Sequence, residues 1–290
     1  MSEFENEIVN WLNEDLLIES EEKSKHFPEN DFLILLFPEK LIALHLIDIQ
    51  RFENIQQDNK LSFQELSAHY QALGYKMIHL WEDVWKNRKE LVKSRLEVSF
   101  GKFRKINARH CYVKRIDKLH SEMFLQENHL QGSVKSKFKY GLFLKKQYVA
   151  KYVPEASGED DLLVAAATFS SGRTMKWGER KDTRSYELLR FAGLKGFVVI
   201  GGFDKLLKAF AEEQKPDDVM TYADRDWSDG RSYEMLGFEK TDMLPPQCYL
   251  LDKNTFQRVS SADKKAENEH NLLKVWNAGS IKYRKVFRHE

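Results

Sequence analysis

The chain has 290 residues, 42% of them hydrophobic, 31% charged and 12% aromatic, which excludes a disordered, collagenous or low-complexity polymer and suits about two globular domains. Two cysteines, Cys111 and Cys248, exclude a disulfide framework and a zinc site built mainly from thiolates. The longest apolar stretch, residues 32–49, is interrupted by Pro38, Glu39, Lys40, His45 and Asp48, well short of the about 20 apolar residues of a membrane span, and the acidic start lacks a signal peptide's basic residues. The expectation is a soluble, cytoplasmic protein with no membrane partner.

In chain order, apolar residues at Phe4, Ile8, Trp11 and Leu12 predict an amphipathic helix over residues 3–17. Two apolar runs, 32–37 and 41–47, flank Pro38-Glu39-Lys40 and read as a buried hairpin. Ser62 and Glu65 form a capping-box pattern opening a helix that ends near Gly74. A short strand, 77–81, precedes a basic helix stopped at Gly101. Residues 1–84 hold 17 acids against 6 bases, whereas residues 85–151 hold 18 bases against 5 acids. Such asymmetry is the footprint of a polyanion partner, or of a solvated helix face. Trp85, Phe100, Phe103 and Tyr112 among the bases favour nucleic acid, with Lys86, Arg88, Lys89, Lys93, Arg95, Lys102, Arg104, Lys105 and Arg109 as candidate contacts to double-stranded DNA.

A second region begins near Asp117 with a helix over 118–130. Strands are expected at 139–144, 147–153 and 162–169, then a polar loop over 170–182 and a strand at 185–191. A short strand enters Gly201-Gly202 and a helix follows over 204–213. A strand at 219–223, a helix at 230–236 and a strand at 247–251 come next. Residues 260–268 are polar and charged, and residues 272–287 read as a terminal hairpin. The fold class is α/β (α+β), divided as 1–116, 117–255 and a C-terminal extension, 256–290.

Three segments carry chemistry. In Val198-Val199-Ile200-Gly201-Gly202-Phe203-Asp204-Lys205 a strand enters two glycines and a helix, exposing backbone N–H groups suited to a pyrophosphate. A tight strand-to-helix turn explains the glycines equally well. Tyr233 precedes a helix stop at Leu236-Gly237-Phe238. Glu187 lies inside the otherwise apolar strand Tyr186–Phe191. Their order resembles the GNAT superfamily of N-acetyltransferases over residues 122–251. The resemblance implies acetyl-CoA or another acyl-CoA as cofactor, held by Ile200, Gly201, Gly202 and Lys205. It also implies Glu187 as general base and Tyr233 as the acid that protonates the thiolate, with an acyl acceptor that the sequence does not name. The usual family loop is Gln/Arg-x-x-Gly-x-Gly/Ala, and here Asp204 stands at the mouth of the site.

Residues 221–230, Thr-Tyr-Ala-Asp-Arg-Asp-Trp-Ser-Asp-Gly, place polar groups at a predicted strand end, where open α/β sheets put ligands. With Glu187/Arg190 and residues 124–132, they resemble the GNAT-like domains of phage and mobile-element proteins. Arg190, Tyr222, Asp224, Arg225 and Asp226 are therefore candidate substrate contacts, expected in the same cleft as Glu187 and Tyr233. An Asp–Arg network capping a helix is the alternative.

The runs Gly74–Trp85, Lys89–Leu96 and Ile106–Cys111 resemble the tail of a very-short-patch-repair-like or homing-endonuclease-like domain, over roughly residues 30–116; such domains cut DNA with metal-bound acids. Aligned on Pro38, the two carboxylate positions hold Ile34 and His45, so the resemblance implies a degenerate nuclease fold and no metal site. Asp31, Asp48 and Glu82 are the acids from which a rebuilt site would have to come. The readings are thus an acyl-CoA-dependent N-acyltransferase, or a DNA-binding mobile-element protein whose GNAT-like module is not catalytic.

Overall fold

A computed structural model describes residues 1–18, 20–22, 32–55, 63–158, 160–177, 180–260 and 271–287. The first part of the chain forms α1 (Glu3–Glu14), β1 (Glu21–Glu22), β2 (Leu33–Phe37), β3 (Ile42–Ile47), α2 (Ile49–Ile55), α3 (Phe63–Ala72), β4 (Lys76–Trp81) and α4 (Glu82–Ser99). Then come β5 (Arg104–Asn107), β6 (Cys111–Arg115), α5 (Lys118–Asn128), β7 (Phe138–Leu144), α6 (Lys146–Tyr152), β8 (Leu162–Phe169), β9 (Arg173–Trp177), β10 (Arg180–Gly193) and β11 (Phe197–Ile200). The last elements are α7 (Gly202–Gln214), β12 (Asp218–Asp224), α8 (Arg231–Glu234), β13 (Glu239–Leu244), β14 (Cys248–Asp252), β15 (Arg258–Ser260), β16 (Leu272–Trp276) and β17 (Ser280–Val286). The class is mixed α/β.

Compactness divides this chain into two interleaved units. Unit 1 holds Met1–Lys89, Tyr222–Ser232 and Lys240–Lys282; unit 2 holds Glu90–Thr221, Tyr233–Glu239 and Tyr283–Glu290. The boundary inside α4 adjoins Arg88, whose backbone (φ −138°, ψ 30°) breaks the helix.

In unit 1, α1 opens with a capping box that was not anticipated: the Ser2 hydroxyl accepts from the Glu5 N–H, and the Glu5 carboxylate accepts from the Ser2 N–H. Both strands of the predicted hairpin are fully buried, with Leu33 opposite Leu46 and Ile34 opposite His45. β4 adds in parallel to β3, setting His79 beside His45. Sheet order is β1-β2-β3-β4, and a second sheet runs β15-β14-β16. Phe32, Phe52, Phe63, Trp81, Leu251 and Val275 share one core cluster.

That core holds a directed chain of polar groups. Ser67 donates its hydroxyl proton to the Phe63 carbonyl at 2.8 Å, so its oxygen accepts from His79 Nε2 at 2.7 Å. His79 Nδ1 must then accept, and His45 Nδ1–H donates to it at 2.8 Å. This leaves His45 Nε2 as an unprotonated nitrogen, buried and without a partner among the described residues. Burial holds His45 well below its ordinary range and lowers His79 to about 3, with further lowering from the neighbouring imidazole at His45 and from Arg225 at His79.

Unit 2 is built on a sheet in which β6, β7, β8, β10 and β12 follow in order, with β9 paired to β10. α5 is capped by Asp117, whose carboxylate accepts from the His120 N–H at 2.8 Å. α7 buries Phe203, Leu206, Leu207 and Phe210, and Phe210 stacks on Phe169 at 3.8 Å between ring centroids. Arg284 pairs with the fully buried Asp218 at 2.7 Å, and Ser185 donates to the same carboxylate.

Three sequence expectations change. Residues 147–152 lie in a helix, α6, with Val153 as its cap, because Tyr148, Val149, Tyr152 and Val153 repeat at helical spacing and bury Val149 and Val153. The expected loop over 170–182 contains β9 and the start of β10. The expected terminal hairpin is instead β16 paired with β14, then a turn at Gly279 (φ +83°) into β17. Ser62 and residues 261–268 lie outside the described residues.

The histidines set a pH dependence. A base whose folded pKa is depressed loses stability as pH falls below its unfolded value, because the unfolded chain then binds the extra proton. His45, His79 and the similarly lowered His129 of unit 2 each contribute a loss of up to about 1.4 kcal/mol per pH unit below about 6.5. Asp226, raised by burial, acts in the opposite direction and is outnumbered. Melting temperature should therefore fall steadily from pH 6.5 to pH 4.5, and His45→Leu should flatten that fall. A pH-independent melting temperature would contradict neutral buried imidazoles.

Candidate functional site

β10 changes partners midway. Arg180–Ser185 pairs with β9, Ser185–Glu187 runs parallel to Asp218–Met220 of β12, and Leu188–Gly193 pairs with β8. The β8 register shifts between Leu188 and Arg190, a bulge, and parallel pairing with β12 stops after Glu187. Backbone carbonyls beyond that point need other donors. Thr221 donates to the Leu188 carbonyl at 3.1 Å, while Arg190 donates to the Leu189 carbonyl at 2.8 Å and the Gly132 carbonyl at 3.2 Å. Thr168, opposite Arg190 on β8, keeps a buried hydroxyl with no partner among the described residues.

Tyr233 belongs to this same unit. Its ring packs against Phe203, Phe238 and Tyr283 at 6.0, 5.7 and 5.5 Å between centroids. Burial pushes its phenol up, against the Thr221 hydroxyl and the charges of Arg95 and Arg190. The phenol therefore keeps its proton at neutral pH. His129, at the end of α5, is lowered to about 3 by burial and by Arg190 and Arg95. Its Nδ1 accepts from the Gln131 N–H at 3.2 Å, so the neutral ring carries its proton on Nε2. Tyr233 and His129 thus feel the charges of the same two arginines, Arg95 and Arg190. His129 was not a sequence candidate, because only the long-range approach of two arginines distinguishes it. Glu187 sits at the last paired position of β10, with its N–H donating to Ser170 Oγ at 2.9 Å and its carbonyl accepting from the Ser170 N–H.

α7 begins at Gly201, in the left-handed region at φ +74°. Gly201 is exposed, and the nearest atom to a Cβ placed there would be the Ala108 Cβ, at 3.8 Å. Gly202 is explained by packing: a Cβ would meet Val199 at 2.9 Å and Leu142 at 3.2 Å. Ile200 is exposed, its backbone paired with Asn107 of β5. Lys205 does not reach outward, because its ammonium donates to the Ala108 and Cys111 carbonyls at 3.1 and 2.6 Å. It pins the 108–111 turn beside the helix start. Asp204 is paired with Lys208 at 2.7 Å.

Tyr222, Asp224, Arg225 and Asp226 belong to unit 1, whereas Glu187, Arg190 and Tyr233 belong to unit 2. Arg225 is buried and donates to the Ala278 and Gln64 carbonyls, both at 3.3 Å. Asp226 accepts from the Ala278 N–H at 2.7 Å, and its carbonyl accepts from the His79 N–H. Burial pushes its carboxyl well above the ordinary range, with Asp224 adding to the effect. Arg258 chelates Asp83 through two bonds of 2.7 and 2.9 Å. This is a network that ties together the chain segments of unit 1.

Two of the acids considered for a nuclease centre, Asp48 and Glu82, hold local structure. Asp48 accepts from the Arg51 N–H, and Glu82 accepts from the Ile49 N–H while pairing with Lys86. Asp31 lies outside the described residues. Among the described residues no group of three metal-ligating side chains converges. Of the candidate DNA contacts, Lys89 pairs with Glu7 and Arg104 pairs with Glu155 and lies over Phe197, whereas Arg109 is exposed and donates from Nε to His110. Lys93 and Lys102 lie near Glu97, Lys105 lies 5.7 Å from the Phe103 ring, and Arg88 marks the break in α4.

No family model matches the chain, and no curated protein matches it. It is similar to several solved structures. A chain of the NatC complex bound to Gag peptide and CoA aligns with 62% of this chain and 99% of its own, at 8% identity and a TM-score of 0.34. The ribosomal-protein-S18-alanine N-acetyltransferase from Escherichia coli aligns with 62% and 96%, at 9% identity and a TM-score of 0.36. Arabidopsis thaliana NAA60 in complex with acetyl-CoA aligns with 61% and 99%, at 8% identity and a TM-score of 0.35. Similarity this distant carries no weight for the chemistry, which rests on the residues above.

Removing Arg225 should act on folding. Arg225→Ala leaves the buried Ala278 carbonyl and the half-buried Gln64 carbonyl without this donor and removes a buried cation next to Asp226, a loss of about 2–4 kcal/mol. Thermal denaturation should show a lowered melting temperature; an unchanged one would mean that the guanidinium serves a ligand instead.

Proposed function

We propose that unit 2 transfers an acyl group from acyl-coenzyme A to an amine. The observation that carries this reading is the end of β10–β12 pairing after Glu187, at the 188/190 bulge, with a protonated, half-buried phenol, Tyr233, that interacts with Thr221 and feels the charges of Arg95 and Arg190. Two strands that separate leave backbone groups and space in the middle of a sheet, which is what an extended thioester arm needs. Phe203 joins that region to the start of α7, because its ring packs on Tyr233 and stacks on Phe191 at 4.6 Å.

The residues present suit the coenzyme in one place. The first-turn N–H groups of α7, at Gly202, Phe203 and Asp204, have no acceptor within the helix, and the exposed Gly201 opens the approach to them. These amides would hold the diphosphate. Lys208 offsets the Asp204 charge, and Lys205 acts indirectly by fixing the 108–111 turn. The coenzyme supplies a thioester, activated toward attack by an amine.

The remaining demands fall on side chains of this unit. Glu187 takes the amine proton, directly or through water. Tyr233 holds its proton at neutral pH, and that proton is available to a departing anion. Arg95 and Arg190 stabilise negative charge developing near that oxygen. The acceptor is an amine.

Calorimetry with acetyl-CoA tests the binding step, and thiol release in the presence of a panel of primary amines tests the transfer. Tyr233→Phe should bind acetyl-CoA within about twofold of the parent and release thiol about 10²-fold more slowly or less. An absence of binding at millimolar coenzyme would overturn the proposal. Equal rates for Tyr233→Phe would remove the tyrosine from it.

A further inference from the structure

We infer that the β5–β6–α6 face of unit 2 binds single-stranded nucleic acid. His110 and Tyr148 are stacked with ring centroids 4.1 Å apart and planes at 12°. Tyr152 lies against the same imidazole at 5.6 Å. Arg109 Nε can only donate, so His110 Nε2 accepts from it at 3.2 Å and Nδ1–H donates to the Tyr152 oxygen at 2.9 Å. Asn107 donates to that oxygen as well, at 3.1 Å. The aromatic group is thereby fixed in orientation before any ligand arrives.

Cations surround it. Arg109, Lys145 and Lys151 are exposed, and all three act electrostatically on His110. Among the described residues none of the three is in an ion pair. Lys145 also lines a shallow concavity of about 530 Å³ with Tyr112, Lys146, Gln147 and Asp161. Lys105 on β5 and Lys114 on β6, both exposed, extend the positive charge along the two strands. Tyr112 and Phe143 add a second stacked pair, at 5.7 Å, with Lys114 over the Phe143 ring.

An interior use does not account for this arrangement. A packed core has no need of exposed cations, and a solvated helix face has no need of ordered ring stacks. Stacked rings interleaved with lysine and arginine meet the two chemistries of a nucleotide strand: bases lie on rings and phosphates on cations. Duplex bases are already stacked on one another and cannot reach such rings. Three exposed cations near the rings, from three different chain positions, suit several consecutive phosphates better than a single nucleotide. The surface is independent of the acyltransfer reading, since Tyr233 and Glu187 take no part in it.

Fluorescence anisotropy of a labelled single-stranded oligonucleotide with the full chain tests this. Binding should weaken steeply between about 50 and 200 mM salt. The double variant Arg109→Ala/Lys151→Ala should lower affinity at least tenfold and reduce the log–log salt slope by about 1.4, the share of two phosphates. Tyr148→Leu should lower affinity about tenfold while leaving the slope unchanged, and melting curves verify that each variant folds. Absence of binding at low salt, variants that bind like the parent, a duplex bound as tightly as the single strand, or a mononucleotide bound as tightly as the oligonucleotide would each overturn the inference.

Discussion

A strand cannot pair with β12 on one side while its register to β8 shifts, unless something else supplies hydrogen bonds to the backbone left over. β10 meets that demand at Leu188–Arg190. Thr221 serves the Leu188 carbonyl and Arg190 serves the Leu189 carbonyl, so the strands stay apart at a defined point. The candidate chemistry of unit 2 follows from this one constraint. Arg190 is held by the carbonyls it serves and in turn depresses His129, and Tyr233 is fixed where Thr221 meets the parting of the strands. Charge, proton and backbone are organised by a local failure of sheet pairing.

Unit 1 uses buried polar groups for a different end. His45, His79 and Ser67 form a chain whose proton positions follow from the single acceptor at its end, the Phe63 carbonyl. A hydrogen bond inside a core stabilises little in net terms, but leaving its partner unpaired costs about 1–3 kcal/mol. The His45–His79 register between β3 and β4 is therefore specified by more than apolar contact. Arg225 and Asp226 extend the same logic from the 222–232 segment into the body of the unit, the Asp226 carbonyl accepting from the His79 N–H.

Much of the fold was legible in residue patterns. Uniform apolar runs gave the hairpin of β2 and β3, glycines marked the start of α7, and helical periodicity gave α1 and α5. What misled was local composition read without partners. Residues 147–153 alternate enough aromatic and aliphatic character to read as a strand, yet the burial of Val149 and Val153 is helical. Of the candidate site, Tyr233 and Arg190 were named through the family resemblances that the order of segments suggested. His129 and Arg95 were not linked, because their meeting depends on the bulge, and a one-residue register shift leaves no mark in composition. Arg225 and Lys205 were recognised as special, but their contacts are with backbone carbonyls, which no side-chain motif announces.

The central claim is that the parted edge of β10 and the first turn of α7 together receive an acyl-coenzyme. Amide hydrogen exchange with and without acetyl-CoA measures this most directly, because it reads the backbone groups themselves. The account predicts slowed exchange at residues 189–191 and 201–204, with unit 1 amides such as those of β3 and β4 unchanged. Protection absent from both segments, or found only in unit 1, would contradict it.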